Sequence, residues 1–129
     1  IDLPAMALES IPGNPYLATP YLVADAIDIV RQTGLGITGQ IKLANLVEMF
    51  GKNCHGGNPH VVAAIRNDDW WEVAAWPPTG KDRSLEAAFA GLIRDTTEVK
   101  DGYMYVPQTA GLGREIDWEQ IEERTVLKV

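Results

Sequence analysis

An α/β fold with parallel strands alternating with helices follows from three observations. The segment from Asp28 to Glu72 holds three short apolar runs linked by helical patterns. Each run is followed by a Gly- or Asn-rich turn. Polar residues stand just past the runs: Gln32 and Thr33, His55 and Asn58, and Glu72. Repeated β-α units favour a parallel sheet with helices packed outside it. In such folds chemistry gathers at the carboxyl ends of the strands, so the same segment suggests the edge of an active site.

Taken in order, Thr19-Pro20 reads as a helix cap followed by a first-turn proline, with a short helix over 21–26. Ile27 to Arg31 reads as a buried strand, and Gly34, Gly36 and Gly39 make the next loop permissive. The next helix spans roughly Gln40 to Phe50, with Leu43, Leu46, Val47 and Phe50 on one apolar stripe. Gly51 stops it. Lys52 to Cys54 is a very short strand, His55-Gly56-Gly57 a turn, and Asn58-Pro59 a cap that starts a helix to about Arg66. Trp70 to Ala75 is aromatic and β-branched and reads as a strand. Pro77 to Gly80 is a loop, and Ser84 caps a helix over 85–93. Asp101-Gly102 between β-prone residues signals a tight hairpin within 97–107. Ala110 to Arg114 is a Gly-rich turn. Asp117 with Gln120 fits a capping box for a short acidic helix over 118–123, before a terminal strand or extended tail over 125–129.

The chain has 129 residues, the length of one ordinary domain, and 46% of them are hydrophobic, enough for a packed core. A charged share of 22% and a mean hydropathy of -0.10 argue against intrinsic disorder. The net charge of -7 and the lack of a Lys/Arg cluster make nucleic acid and anionic membrane poor partners. A single cysteine, Cys54, excludes a disulfide framework and fits a reducing compartment. With no signal peptide and no apolar run long enough to span a bilayer, a soluble cytoplasmic protein is expected.

Five stretches carry a family resemblance: DIVR, GITGQIKLANLVEMFGKNC, HGGN, AAIRNDDWWEV and, near the end, DGYMYVPQTAGLGREIDWEQIEE. Together, and in collinear order from about Ala24 onward, they resemble the C-terminal part of the mandelate racemase branch of the enolase superfamily, with the acid-sugar dehydratases as the nearest relatives. The resemblance implies the C-terminal portion of a (β/α) TIM-type barrel over 1–96 and a hairpin and tail over 97–129 that complete the capping region. It also implies Mg²⁺ that holds a substrate carboxylate while the adjacent carbon-bound proton is removed. The α-proton of a carboxylate is very weakly acidic, so divalent charge must stabilise the developing enediolate. Loss of a β-hydroxyl then gives a 2-keto-3-deoxy acid, and reprotonation gives an epimer.

By this resemblance His55 matches the histidine after the seventh strand that exchanges a proton with substrate. Glu72 matches the carboxylate at the end of the eighth strand that hydrogen-bonds the substrate carboxylate. The family's orienting aspartate, just past the sixth strand, has Gln32 and Thr33 in its place. Asp28, at the start of its strand, is not given that role. The metal ligands and the Lys-x-Lys base precede the alignable part, so no metal ligand is assigned. Ile1 to Pro20 offers only Asp2 and Glu9, neither in a recognisable ligand context. A complete barrel needs ~250 residues, so the remainder of the barrel is expected in cis or on a second chain. Exposed strand edges favour a homo-oligomer.

The expected activity is thus a magnesium-dependent lyase dehydrating a small sugar acid. The alternatives are a noncatalytic half-barrel serving in assembly and a racemase or cycloisomerase on the same scaffold. His55 is the main catalytic candidate, because an imidazole exchanges protons near neutral pH. Its bland alternative is a turn residue bonded to nearby backbone. Glu72 follows two tryptophans, so an apolar setting and a raised pKa are expected. Asn58 is a candidate substrate-binding residue, although a helix cap explains it fully and is the preferred reading. His60 is expected on an exposed first turn. Trp70, Trp71 and Trp76 are read as packing rather than stacking residues, Cys54 as a buried small residue, and 115–123 as a solvated acidic face. The loop from Gly34 to Gly39 fits neither the P-loop nor the dinucleotide pattern.

Overall fold

The computed structural model describes residues 3–9, 14–72, 92–95 and 98–126. The chain divides into two compact units, Ile1–Glu72 and Val73–Val129.

The first unit is built on a three-stranded, all-parallel sheet in the order β1-β2-β3, with β1 Met6–Ala7, β2 Ile29–Arg31 and β3 Asn53–His55. A short 3-10 helix, Pro15–Ala18, runs directly into α1, Thr19–Val23. The cap therefore lies upstream of the expected Thr19. Asn14 Oδ1 accepts from Tyr16 N–H at 2.9 Å, and Thr19 already has helical φ and ψ. Next, α2 covers Ile37–Met49, starting three residues earlier than the stripe suggests, from an extended Gly36. Its buried face is Gln40, Leu43, Ala44 and Val47, while Phe50 is exposed at the end. The i, i+3, i+4, i+7 spacing holds, but the stripe begins on a polar residue. Last in this unit, α3 covers Pro59–Val62, capped by Asn58.

Val30 and Cys54 are register partners, and both join the buried cluster of Ala18, Leu22, Ile27, Leu35, Leu43, Ala44 and Val47. Since side chains alternate along a strand, Arg31 and His55, also register partners, occupy the opposite face of the sheet. The second run ends one residue later than expected, making His55 the last residue of β3 rather than the first of a turn.

Trp70–Glu72 is not a strand. Asp68 Oδ1 accepts from Trp70 N–H at 3.4 Å, a local turn bond at the point where the strand was expected to start. Residues 73–75, the loop at 77–80, Trp76 and the helix expected over 85–93 up to residue 91 lie outside the described residues; Ile93, the expected last residue of that helix, begins a strand instead.

In the second unit β4, Ile93–Asp95, pairs antiparallel with β7, Arg114–Ile116. Between them β5, Glu98–Lys100, and β6, Tyr103–Tyr105, form the expected hairpin. Asp101 and Gly102 have φ of 53° and 80°, the conformation that a two-residue hairpin turn requires. The final helix, α4, is Trp118–Arg124. Asp117 Oδ1 caps it by accepting from Gln120 N–H at 3.1 Å, and Gln120 Nε2 donates back to Asp117 Oδ2 at 3.0 Å. None of the residues of α4 is buried, in keeping with a solvated acidic face. Thr125 and Val126 continue without strand pairing, and 127–129 lie outside the described residues. Among the described residues no helix is long and apolar enough to cross a membrane.

Candidate active site

Five ionisable side chains meet at the carboxyl ends of the three parallel strands. Glu9 follows β1, Arg31 ends β2, His55 ends β3, and Asp68 and Glu72 come from the segment beyond α3. Arg31 Nη1 donates to Glu72 Oε2 at 2.7 Å, and Arg31 Nη2 donates to Glu9 Oε1 at 3.3 Å. His55 lies between two carboxylates, with Nδ1 3.8 Å from Asp68 Oδ1 and Nε2 3.9 Å from Glu72 Oε2. Both are ion-pair distances rather than hydrogen bonds.

The loop after His55 depends on glycine. Gly56 has φ of 78°, and a Cβ there would meet Arg31 Cζ at 3.2 Å. A Cβ on Gly57 would stand 3.0 Å from Gln32 Oε1. The bare backbone thus lets Arg31 and Gln32, at and just past the end of β2, close over the His55 turn. Gln40 fastens this arrangement from below. Its Nε2 donates to Leu35 O at 2.9 Å, and its Oε1 accepts from Asn58 N–H at 2.8 Å, joining the loops that follow β2 and β3. Asn67 fixes the far side. Its carbonyl accepts from Cys54 N–H at 2.7 Å, while Nδ2 donates to Ala44 O at 3.1 Å and to Lys52 O at 3.2 Å.

The electrostatics differ from the sequence expectation at Glu72. Its side chain is 60% exposed, and the Arg31 hydrogen bond and charge hold its carboxyl below the usual glutamate value. The neighbouring tryptophans do not create an apolar pocket around it; Trp70 is itself exposed. The buried carboxyl is Asp68, with 1% of its side chain exposed and its pKa pushed up to about 6 by burial. Burial also pushes the Cys54 thiol up to about 12, which suits a packing residue and not a nucleophile.

His55 and Glu72 are therefore brought together directly, and Arg31 holds Glu72 from its other side. Asn58 sits on the next loop with Oδ1 committed to the cap, accepting from His60 N–H at 3.0 Å. His60 is not exposed. It is half-buried, and among the described residues its buried Nε2 has no hydrogen-bond partner. Gln32, at the place of the family aspartate, is fully buried, and neither amide atom finds a partner among the described residues. Sequence reasoning missed Arg31, Asp68 and Glu9 as site members. The one available signal was that Arg31 ends one apolar run and His55 directly follows the next. Among the described residues no group of three or more His, Cys, Asp or Glu converges to hold a metal ion.

Comparison with known proteins agrees with this architecture. The family model described as "Enolase C-terminal domain-like" matches residues 2–121. A crystal structure of D-glucarate dehydratase from Agrobacterium tumefaciens, complexed with magnesium, is 32% identical with a TM-score of 0.74, over 95% of this chain and 34% of that one. A mandelate racemase/muconate lactonizing enzyme from Sulfitobacter sp. is 22% identical with a TM-score of 0.71, over 99% and 33%. The 3,6-anhydro-D-galactonate cycloisomerase from Zobellia galactanivorans is 21% identical with a TM-score of 0.65, over 94% and 35%. At those two identities the likeness is one of fold alone. The chain spans about a third of the length of each of these proteins.

Proposed function

Because the chain belongs to the enolase superfamily, in its mandelate racemase/muconate lactonizing branch, as an α/β segment matching the C-terminal portion of the barrel, we propose that the whole protein is a lyase that dehydrates a small sugar acid. The observation that carries this reading is the convergence of His55, Glu72 and Arg31 at the carboxyl ends of parallel strands. His55 takes or returns a proton at a carbon of the substrate. On loss of the α-proton the electron pair moves into the carboxylate, giving an enediolate; departure of the β-hydroxyl as water then leaves an enol that becomes the 2-keto-3-deoxy acid. Arg31 and Glu72 form the polar end that receives the substrate carboxylate. Glu72, ionised beside Arg31, acts there by holding the guanidinium in place and accepting hydrogen bonds from substrate hydroxyls. Asn58 can offer substrate its Nδ2, while its Oδ1 caps α3.

Mg²⁺, as found with the glucarate dehydratase, would supply the charge that stabilises an enediolate. The described residues form no cluster that would hold it, so in this reading its ligands come from the remainder of the barrel, in cis or on a second chain. Assembly into a homo-oligomer and a cytoplasmic location belong to the same proposal.

The test is a panel of aldonates and aldarates offered with Mg²⁺ to the full-length enzyme and to its His55→Asn variant. A 2-keto-3-deoxy product that disappears in the variant, with folding unchanged by circular dichroism, is the expected result. Full turnover by the variant would remove His55 from the mechanism. Epimerised or cyclised product would assign the scaffold to a racemase or cycloisomerase, which share the first proton transfer.

A further inference from the structure

The two ring nitrogens of His55 face different surroundings. Nε2 lies toward Glu72 and, through it, Arg31. Nδ1 lies toward Asp68, and among the described residues no other carboxylate is within ion-pair range of it. Asp68 is placed there by its chain neighbour. Asn67 bonds through its carbonyl to Cys54, the residue before His55, and through its amide to Ala44 and Lys52. The strand that ends in His55 and the segment that carries Asp68 are thus tied together one residue away from the pair.

Asp68 is also an unusual group to find buried. Trp70 N–H donates to Oδ1, while Oδ2 has no hydrogen-bond partner among the described residues. A buried carboxyl with an unused oxygen is costly for folding alone. Burial raises its pKa to about 6, with the His55 contact acting in the opposite direction.

We propose that Asp68 is the positioning residue for His55, accepting the Nδ1–H and so leaving Nε2 as the atom that exchanges the substrate proton. This rests on the assignment of His55 as the proton-exchanging group. In that step the substrate C–H bond breaks, an Nε2–H bond forms, and the electron pair remains on the substrate as enediolate. Asp68 keeps its own charge and stabilises the imidazolium, as a buried aspartate does for other catalytic histidines. The orienting carboxylate therefore comes from the segment beyond α3, and not from the end of β2, where Gln32 stands. The 3.8 Å separation closes to hydrogen-bond distance when substrate excludes water, as catalytic contacts do.

Two measurements on the full-length enzyme test this. Nitrogen-15 NMR of the neutral His55 ring should show the Nδ1–H tautomer in the unmodified protein and a shift toward Nε2–H in Asp68→Asn. In steady-state kinetics Asp68→Asn should lower kcat by about 10²- to 10⁴-fold with little change in KM, and Asp68→Glu should recover part of that loss. Asp69→Asn removes an equal charge next door from an exposed position and should change neither reading. An Nε2–H tautomer in the unmodified protein, or a tautomer unmoved by Asp68→Asn, overturns the proposal and needs no activity assay. If His55→Asn stays active while the tautomer shifts as expected, the assigned reaction fails and the positioning contact stands.

Discussion

At the amino ends of the three parallel strands, Lys52 Nζ lies 2.7 Å from Asp25 Oδ1 and 2.9 Å from Asp28 Oδ1, and Asp28 Oδ2 accepts from Ala5 N–H at 2.9 Å. At the carboxyl ends, Arg31 joins Glu9 and Glu72, and His55 stands between Glu72 and Asp68. Each cluster combines a cation with carboxylates remote from it in the chain. In the first, both Asp28 oxygens are bonded; its carboxyl is held below the usual aspartate value, chiefly by the Lys52 hydrogen bond, and Lys52 is raised to about 12. In the second, Arg31 Nε, the Gln32 amide and Asp68 Oδ2 have no partner among the described residues, and Asp68 is raised. The difference teaches that one end ties strands together while the other holds groups in states that folding alone would not favour. That division matches the roles of the two faces of a (β/α) barrel.

The sharpest way to break the comparison is Arg31→Met, which keeps the side-chain length and removes the charge. Glu9 and Glu72 lose their shared partner, and His55 is left beside a freed carboxylate. Turnover should fall by about 10²-fold or more, and carboxyl carbon-13 NMR should show the Glu72 titration moving upward. Unchanged activity would confine Arg31 to a strand-tying role like that of Lys52.

Asp68→Asn sharpens the comparison through stability. The raised pKa of Asp68 means that its contribution is fully present below the unfolded value near 3.8 and is lost as pH rises through about 6. A neutral asparagine escapes that loss. The variant should therefore be more stable than the parent at neutral pH, by roughly 1–3 kcal/mol, and the gain should vanish in mild acid. Urea unfolding at the two pH values checks both the sign and the window. A variant less stable at neutral pH would mean that the His55 contact outweighs burial.

The same exchange at the other end, Asp28→Asn, should act with opposite sign and smaller size. The pKa of Asp28 is depressed, so its contribution is present above the unfolded value and is lost as pH falls through the lower folded one. The variant should be slightly destabilised at neutral pH, and the difference should disappear in acid. Asp25 still pairs with Lys52, and the exposed setting keeps the effect small. An equal response at Asp28 and Asp68 would erase the distinction between the two ends.

Much of this frame is legible in the sequence alone. The apolar runs around Val30 and Cys54, the Leu43/Val47 stripe, the Asn58 cap and the Asp101-Gly102 turn each follow from local rules of spacing and turn chemistry, and each has its expected partner. Strand β1, the one-residue shift that makes His55 end β3, and the turn at Asp68 were not legible. Two-residue strands carry no period, and a parallel register is set by partners remote in sequence.

The sequence by itself determined the α/β class and the family, and its motifs named His55 and Glu72 as candidates, because periodicity and motif order are properties of neighbouring positions. Only the tertiary structure decided which charges meet. It joined Glu9, Arg31 and Glu72, left Glu72 in solvent, and buried Asp68 against His55. Ionisation depends on burial and on partners a few ångströms away, and parallel pairing brings those partners from strands separated by whole helices.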